Sequence, residues 1–95
     1  MNNKRRASLN EAIKLLDKAV VIIENVSDSE QAAMENMPEN LQESERYEAM
    51  EDGLDMLSDA LEQIDSAKDD IENDKLSDAV SQIDGAKENI KSAMK

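Results

Sequence analysis

Leu57 to Ile71 reads LSDALEQIDSAKDDI, and Leu76 to Ile90 reads LSDAVSQIDGAKENI. Ten of the fifteen positions are identical, at an offset of 19 residues. Apolar residues recur three, four or seven apart in each copy: Leu57, Leu61, Ile64 and Ile71, then Leu76, Val80, Ile83 and Ile90. This is the period of a helix with one apolar stripe. The offset decides whether the copies form one helix. Nineteen residues at about 100° each leave a residual rotation of about 100°, so an unbroken helix would aim the two stripes in different directions. A break near Glu72 to Lys75 lets both address one core, with Asn73 or Asp74 capping the last helix.

A third, weaker copy lies upstream. Leu9 to Ile23, LNEAIKLLDKAVVII, matches the first copy at Leu9, Ala12, Asp17, Ala19 and Ile23. Ser8-Leu-Asn-Glu11 fits a capping box ahead of it. Leu9, Ile13, Leu16, Val20 and Ile23 form one seam, and Ala12, Leu15, Ala19, Ile22 and Val26 a second beside it. A stripe two seams wide suits a helix facing two neighbours. Ser27-Asp-Ser-Glu30 is another possible box, but Ala33 and Met37 extend the second seam and carry the helix to about Asn36. Pro38 ends it. Ser44 is the expected N-cap of the middle helix, with Glu45 and Glu48 near the favourable end of its dipole. Met50 and Leu54 begin the middle seam, which lacks one step, at Lys68. Gly53, Met56, Ala60 and Ala67 flank it. In the last helix the flanking seam is all small (Ala79, Ala86, Ala93), Met94 closes the main one, and Gly85 weakens it by about 1 kcal/mol relative to Ala.

The expected fold is therefore all-α: an antiparallel three-helix bundle with a long helical hairpin and a shorter third helix. It forms a single helical domain over 1–95, with helices at about 8–36, 44–72 and 75–94 and a loop at 37–43. The third helix covers the start of the first and the end of the second. The end around Pro38 is left as a two-helix tip.

Composition narrows the chemistry. The 95 residues hold 23 Asp and Glu against 11 Lys and Arg, a net charge of -12, with no His, Cys, Trp or Phe and Tyr47 as the one aromatic residue. Ser-His and Cys-His nucleophile pairs are thereby excluded, as are imidazole and thiolate metal sites. Carboxylate catalysis needs a cleft that raises one pKa, and a narrow aromatic-free bundle offers none. The expectation is a protein that is not an enzyme and takes no cofactor or metal. Asp70-Ile-Glu72-Asn-Asp74 starts like a calcium loop, but Lys75 replaces the glycine and Ser81 the final glutamate, so it reads as a helix end. The longest apolar run, Ala19 to Ile23, is far shorter than the ~20 residues of a membrane span. No apolar segment follows Lys4-Arg5-Arg6 to make a signal peptide. These features suggest a cytoplasmic protein with no membrane partner. The three basic residues are too few for direct nucleic-acid binding by so acidic a chain.

Charge is unevenly spread. Residues 1–26 carry net +2, residues 27–74 net -15 and residues 75–95 net +1. Within the acidic block, Glu45, Glu48, Asp52, Asp55, Asp59 and Glu62 recur at spacings of 3, 4, 3, 4 and 3. They line the helix face opposite the Met50–Ile64 seam along ~25 Å, with neighbours ~5–6 Å apart. That spacing is close to the spacing of phosphates along a nucleic-acid strand. The face could therefore compete for a basic groove, in a salt-sensitive way. The plainer reading is a solvated face, but like charges at i, i+4 destabilise a helix and only Arg46 and Lys68 offset them. A second candidate surface is the tip, where Met34, Met37, Leu41, Tyr47 and Met50 gather. Met repacks readily and Tyr is enriched at interfaces, so a dimer or partner contact is expected there.

The stretch Met37-Pro-Glu-Asn-Leu-Gln-Glu-Ser-Glu-Arg-Tyr-Glu-Ala-Met-Glu51, the helical Leu-x-x-Ala-x-x-x-Ile repeats and the basic Asn-Lys-Arg-Arg start resemble a group of small uncharacterised acidic helical proteins of Firmicutes phages and prophages. The resemblance implies a setting in which small acidic proteins block host nucleases and other DNA-binding proteins. It carries no catalytic residue. The function expected is that of a phage-type inhibitor, DNA-mimic or anti-CRISPR in kind. Its partner would be a basic protein surface such as that of a nucleic-acid-binding nuclease, and the inhibitor would act as a homodimer. The rival expectation is a homo-oligomeric structural or adaptor protein with a solubilising acidic face.

Overall fold

The computed structural model describes residues 2–94, which form three α-helices and no strand. They are α1 (Asn3–Glu35), α2 (Glu45–Glu72) and α3 (Leu76–Ala93), with one 3-10 turn, Glu39–Leu41, between the first two. At about 1.5 Å per residue, α1 is ~50 Å long and α3 only ~27 Å. The molecule is correspondingly a rod, 59 × 19 × 17 Å.

The start of α1 corrects the Ser8 capping box. The cap is Asn2, whose side-chain oxygen accepts from Arg5 N at 2.8 Å. An Asx cap at that point is sufficient, and Lys4, Arg5, Arg6 and Ala7 propagate a helix well. Ser8 and Glu11 are left exposed inside it. α1 also runs unbroken through Ser27–Glu30. Ser44 caps α2, accepting from Tyr47 N at 3.3 Å. Between α2 and α3, Lys75 N donates to Asp70 O at 2.7 Å and Asp74 N to Ile71 O at 3.3 Å. This is a Schellman stop, with Asp74 at φ 60° where glycine is the usual residue.

All three helices contribute to the core. Ile23 packs with Leu57, Ala60, Ile64 and Ala86, bordered by Leu16, Val20, Leu61, Ile90 and Ala93. Ala67, Ile71 and Ala79 form the other cluster, bordered by Leu9, Ile13, Leu16 and Ile83. α2 is central and makes its most extensive contact with α3, a lesser one with α1. Small residues explain the difference. Ala60, Ala67, Ala79 and Ala86 are all buried, so the α2 and α3 backbones approach closely.

That approach splits the expected main seam of α3: Ile83 and Ile90 border the two clusters. The alanine seam turns to α2, and Leu76, Val80 and Met94 of the expected main seam stay exposed. The second seam of α1 is corrected as well. Leu15, Ile22 and Val26 stay exposed beside α3 instead of packing under it, because α3 lies mainly against α2. The step missing from the α2 seam has a cause: Lys68 reaches across to Asp17 of α1, Nζ to Oδ1 2.9 Å, and also to Asp65 at 3.5 Å. The Asp17 hydrogen bond, reinforced by the charges of Asp17 and Asp65, outweighs partial burial and raises the Lys68 pKa.

Candidate functional site

The α2 acidic face is continuous. Ser44 starts the helix one residue before Glu45 and thereby fixes the phase of everything downstream. Leu57, Ala60, Ile64, Ala67 and Ile71 turn inward, and Glu45, Glu48, Asp52, Asp55, Asp59 and Glu62 turn to solvent, all exposed. The face runs on past Ser66 to Asp69, also exposed. Asp69 escaped the sequence reading because serine interrupts the acidic pattern there. Ion pairs among the described residues join Lys68 to Asp17 and Asp65, and Lys91 to Glu88. None touches the six carboxylates. Their charge is therefore directed at solvent, and a long row of uncompensated anions attracts a basic surface at a distance set by salt.

The tip differs from expectation. Met34 is only 4% exposed, which corrects its assignment to an open apolar patch. The reason is helical phase: Met34 continues the seam Leu9–Ile23, which faces α2, so it points into the hairpin. There it lines a shallow hollow with Gln31, Tyr47, Glu51, Leu54 and Asp55. Met37, Tyr47 and Met50 are half-buried. The loop folds over this end, with Gln42 Nε2 donating to Met37 O at 3.3 Å. Of the five tip residues only Leu41 is exposed.

The largest exposed apolar side chains lie elsewhere. On α1, Leu15 is 57% exposed, Ile22 62% and Val26 52%. With the half-buried Ala12 and Ala19 they form one stripe, ~16 Å from Leu15 to Val26 at ~1.5 Å per residue. The stripe borders the groove between α1 and α3. Val26 lines a hollow with Ala93, Gly53 and Leu57, and Leu76 lines another with Ser8 and Leu9. The sequence signal for this surface was present as the second seam. A core and an interface carry the same periodicity, so the pattern alone assigned the stripe to the core.

No group of His, Cys, Asp or Glu side chains placed to hold a metal ion occurs among the described residues, and Asp70–Asp74 forms the end of α2 and its stop. None of the described helices is long and apolar enough to cross a membrane. Comparison with protein-family models, curated proteins and solved structures returned no match.

Proposed function

We propose that this is a non-enzymatic binding protein that offers the acidic face of α2 to a basic groove on a nucleic-acid-binding protein. The observation that carries this reading is the line of six exposed carboxylates with no cationic partner among the described residues. Such a line is unfavourable for the helix itself, and a cationic partner would relieve it. The bundle that holds it reads as antiparallel. Asp17 meets Lys68, Val26 shares a hollow with Met50, and Met34 shares one with Tyr47, so advancing along α1 means retreating along α2. In the phage setting suggested by the resemblance, the partner is a host defence nuclease or similar protein in the bacterial cytoplasm, and inhibition follows from occupying its nucleic-acid groove.

The test is capture from a bacterial lysate at low and high salt, with mass spectrometry of what is retained. The expected result is a nucleic-acid-binding protein held at low salt, released at high salt and lost with the D52K/D55K/D59K variant. Equal capture by that variant rules the face out. The second reading, a homo-oligomeric structural or adaptor protein, draws its support from the α1 stripe rather than from the largely buried tip.

A further inference from the structure

We propose that α3 is an exchangeable helix, which two copies of this chain trade by opening the turn at 73–75, giving a domain-swapped dimer. Each α3 then packs on the other copy's α2, and the bundle is rebuilt twice from the same contacts. The proposal does not involve the acidic face and stands whether or not that face binds a partner. It rests on how α3 is attached, on the turn that tethers it, and on the pairing of the two repeats. α3 is held mainly by α2. Among the described residues its one side-chain hydrogen bond to another helix is Asn89 to Gln63, and its one ion pair, Lys91–Glu88, is internal. Handing α3 to an identical bundle restores all of these contacts.

The turn itself is strained and poorly capped. Asp74 has φ 60°, a left-handed conformation that is costly for an L side chain and free for glycine. Neither Asn73 nor Asp74 caps α3. Lys75 stands at the N-cap and makes no side-chain hydrogen bond there, whereas Asn2 and Ser44 cap the other two helices. Opening the turn releases Asp74 and leaves no cap unmade. The backbone bonds it breaks, Lys75 N to Asp70 O and Asp74 N to Ile71 O, lie where residues 72–76 are all exposed, so water replaces them. A short hinge under strain favours exchange.

The repeat raises a rival arrangement, in which α2 of one copy pairs with α2 of the other. Packing disfavours it. Gln63 lies against Gly85, where a Cβ would be 2.6 Å from its Nε2. Ser66 is the residue 19 positions before Gly85. An α2–α2 pair in the same register would push Ser66 against Gln63 at both ends. α2 therefore pairs better with an α3, its own or the other copy's.

The test is refolding from denaturant at micromolar and at submillimolar protein, followed by mass from sedimentation or light scattering. Refolding at the higher concentration is expected to give a species of twice 10.6 kDa, close to twice the 59 Å length of one rod by small-angle scattering. That species should dissociate slowly on dilution, because α3 must leave its groove first. Cysteines then separate exchange from surface association, since the chain has none of its own. A Cβ at Gly53 lies 3.7 Å from Ala93 O, so G53C/A93C can bridge α2 to α3. Oxidised as the dimer, this variant should run as a covalent dimer on a denaturing gel; oxidised as the monomer, it should stay monomeric. Asp74→Gly relaxes the closed turn and should raise the dissociation constant of the dimer about tenfold. A wild type that is monomeric after both refoldings overturns the proposal. So does a dimer in which the G53C/A93C bond forms only within each chain, since that dimer keeps both α3 helices at home. An Asp74→Gly dimer as tight as wild type overturns the role of the turn.

Discussion

Ser27 lies in the inward seam of α1 between Ile23 and Met34, and its buried hydroxyl has no hydrogen-bond partner. An unsatisfied buried polar group costs about 1–3 kcal/mol, and Ala is also the better helix former. Ser27→Ala should therefore stabilise the fold by about 1 kcal/mol in a denaturant titration. The two glycines should respond differently to the same change. A Cβ at Gly53 meets only Ala93 O, at 3.7 Å, an ordinary contact. Gly53→Ala should then give the full helix gain of about 1 kcal/mol. A Cβ at Gly85 would lie 2.6 Å from Gln63 Nε2. Gln63 crosses α3 there and accepts from Asn89 Nδ2 at 2.7 Å. Gly85→Ala must push that amide aside, and losing the bond offsets the gain, for a net change within about 0.5 kcal/mol. In a Q63A background the same substitution should recover about 1 kcal/mol. A glycine inside a helix weakens it by its backbone freedom alone; only the packing tells which of the two has a use.

At the scale of elements, the tight α2–α3 seam is the least tolerant part of the fold. Ala86→Leu must force apart two backbones held close by alanines on both sides, and should cost about 1–3 kcal/mol. The Lys68–Asp17 bridge between α1 and α2 is partly solvated, so Asp17→Asn should cost only about 0.5 kcal/mol. Because the bridge raises the Lys68 pKa, its contribution is full below the ordinary lysine pKa and disappears as pH rises through the higher folded value. Wild type and the Asp17→Asn variant should therefore converge in stability in strongly alkaline solution and differ at neutral pH. The number and period of the helices were legible in sequence, and so was the acidic face, because 3.6-residue periodicity is a local property. Which seam of α3 lies closest to α2 was not. The alanine seam of α3 looked secondary on hydrophobicity, yet the smallest side chains allowed the closest approach. The Ser8 box is not the helix start for a related reason: a good capping motif fits any helix start, and Asn2 supplies one earlier.

For the whole molecule, charge opposes compactness. With net -12 and seventeen of the acidic residues in 27–74, folding brings like charges together. The melting temperature should rise with added salt, as screening shortens the range of that repulsion. Captured partners of the acidic face should show the opposite dependence.

The mismatch between α1 and α3 has one more consequence. α3 reaches Gly53 and Val26 at its C-terminal end, so the hairpin from Ser27 to Met50 rests on two helices and the remainder on three. Local unfolding follows the amount of packing that holds each segment. Backbone amides of α1 beyond Val26 and of α2 before Gly53 should exchange with deuterium well before those around Ile64 and Ala86. Unzipping should start at the Pro38 turn and stop where α3 begins to cover the pair. A protease should make its first cut in that turn.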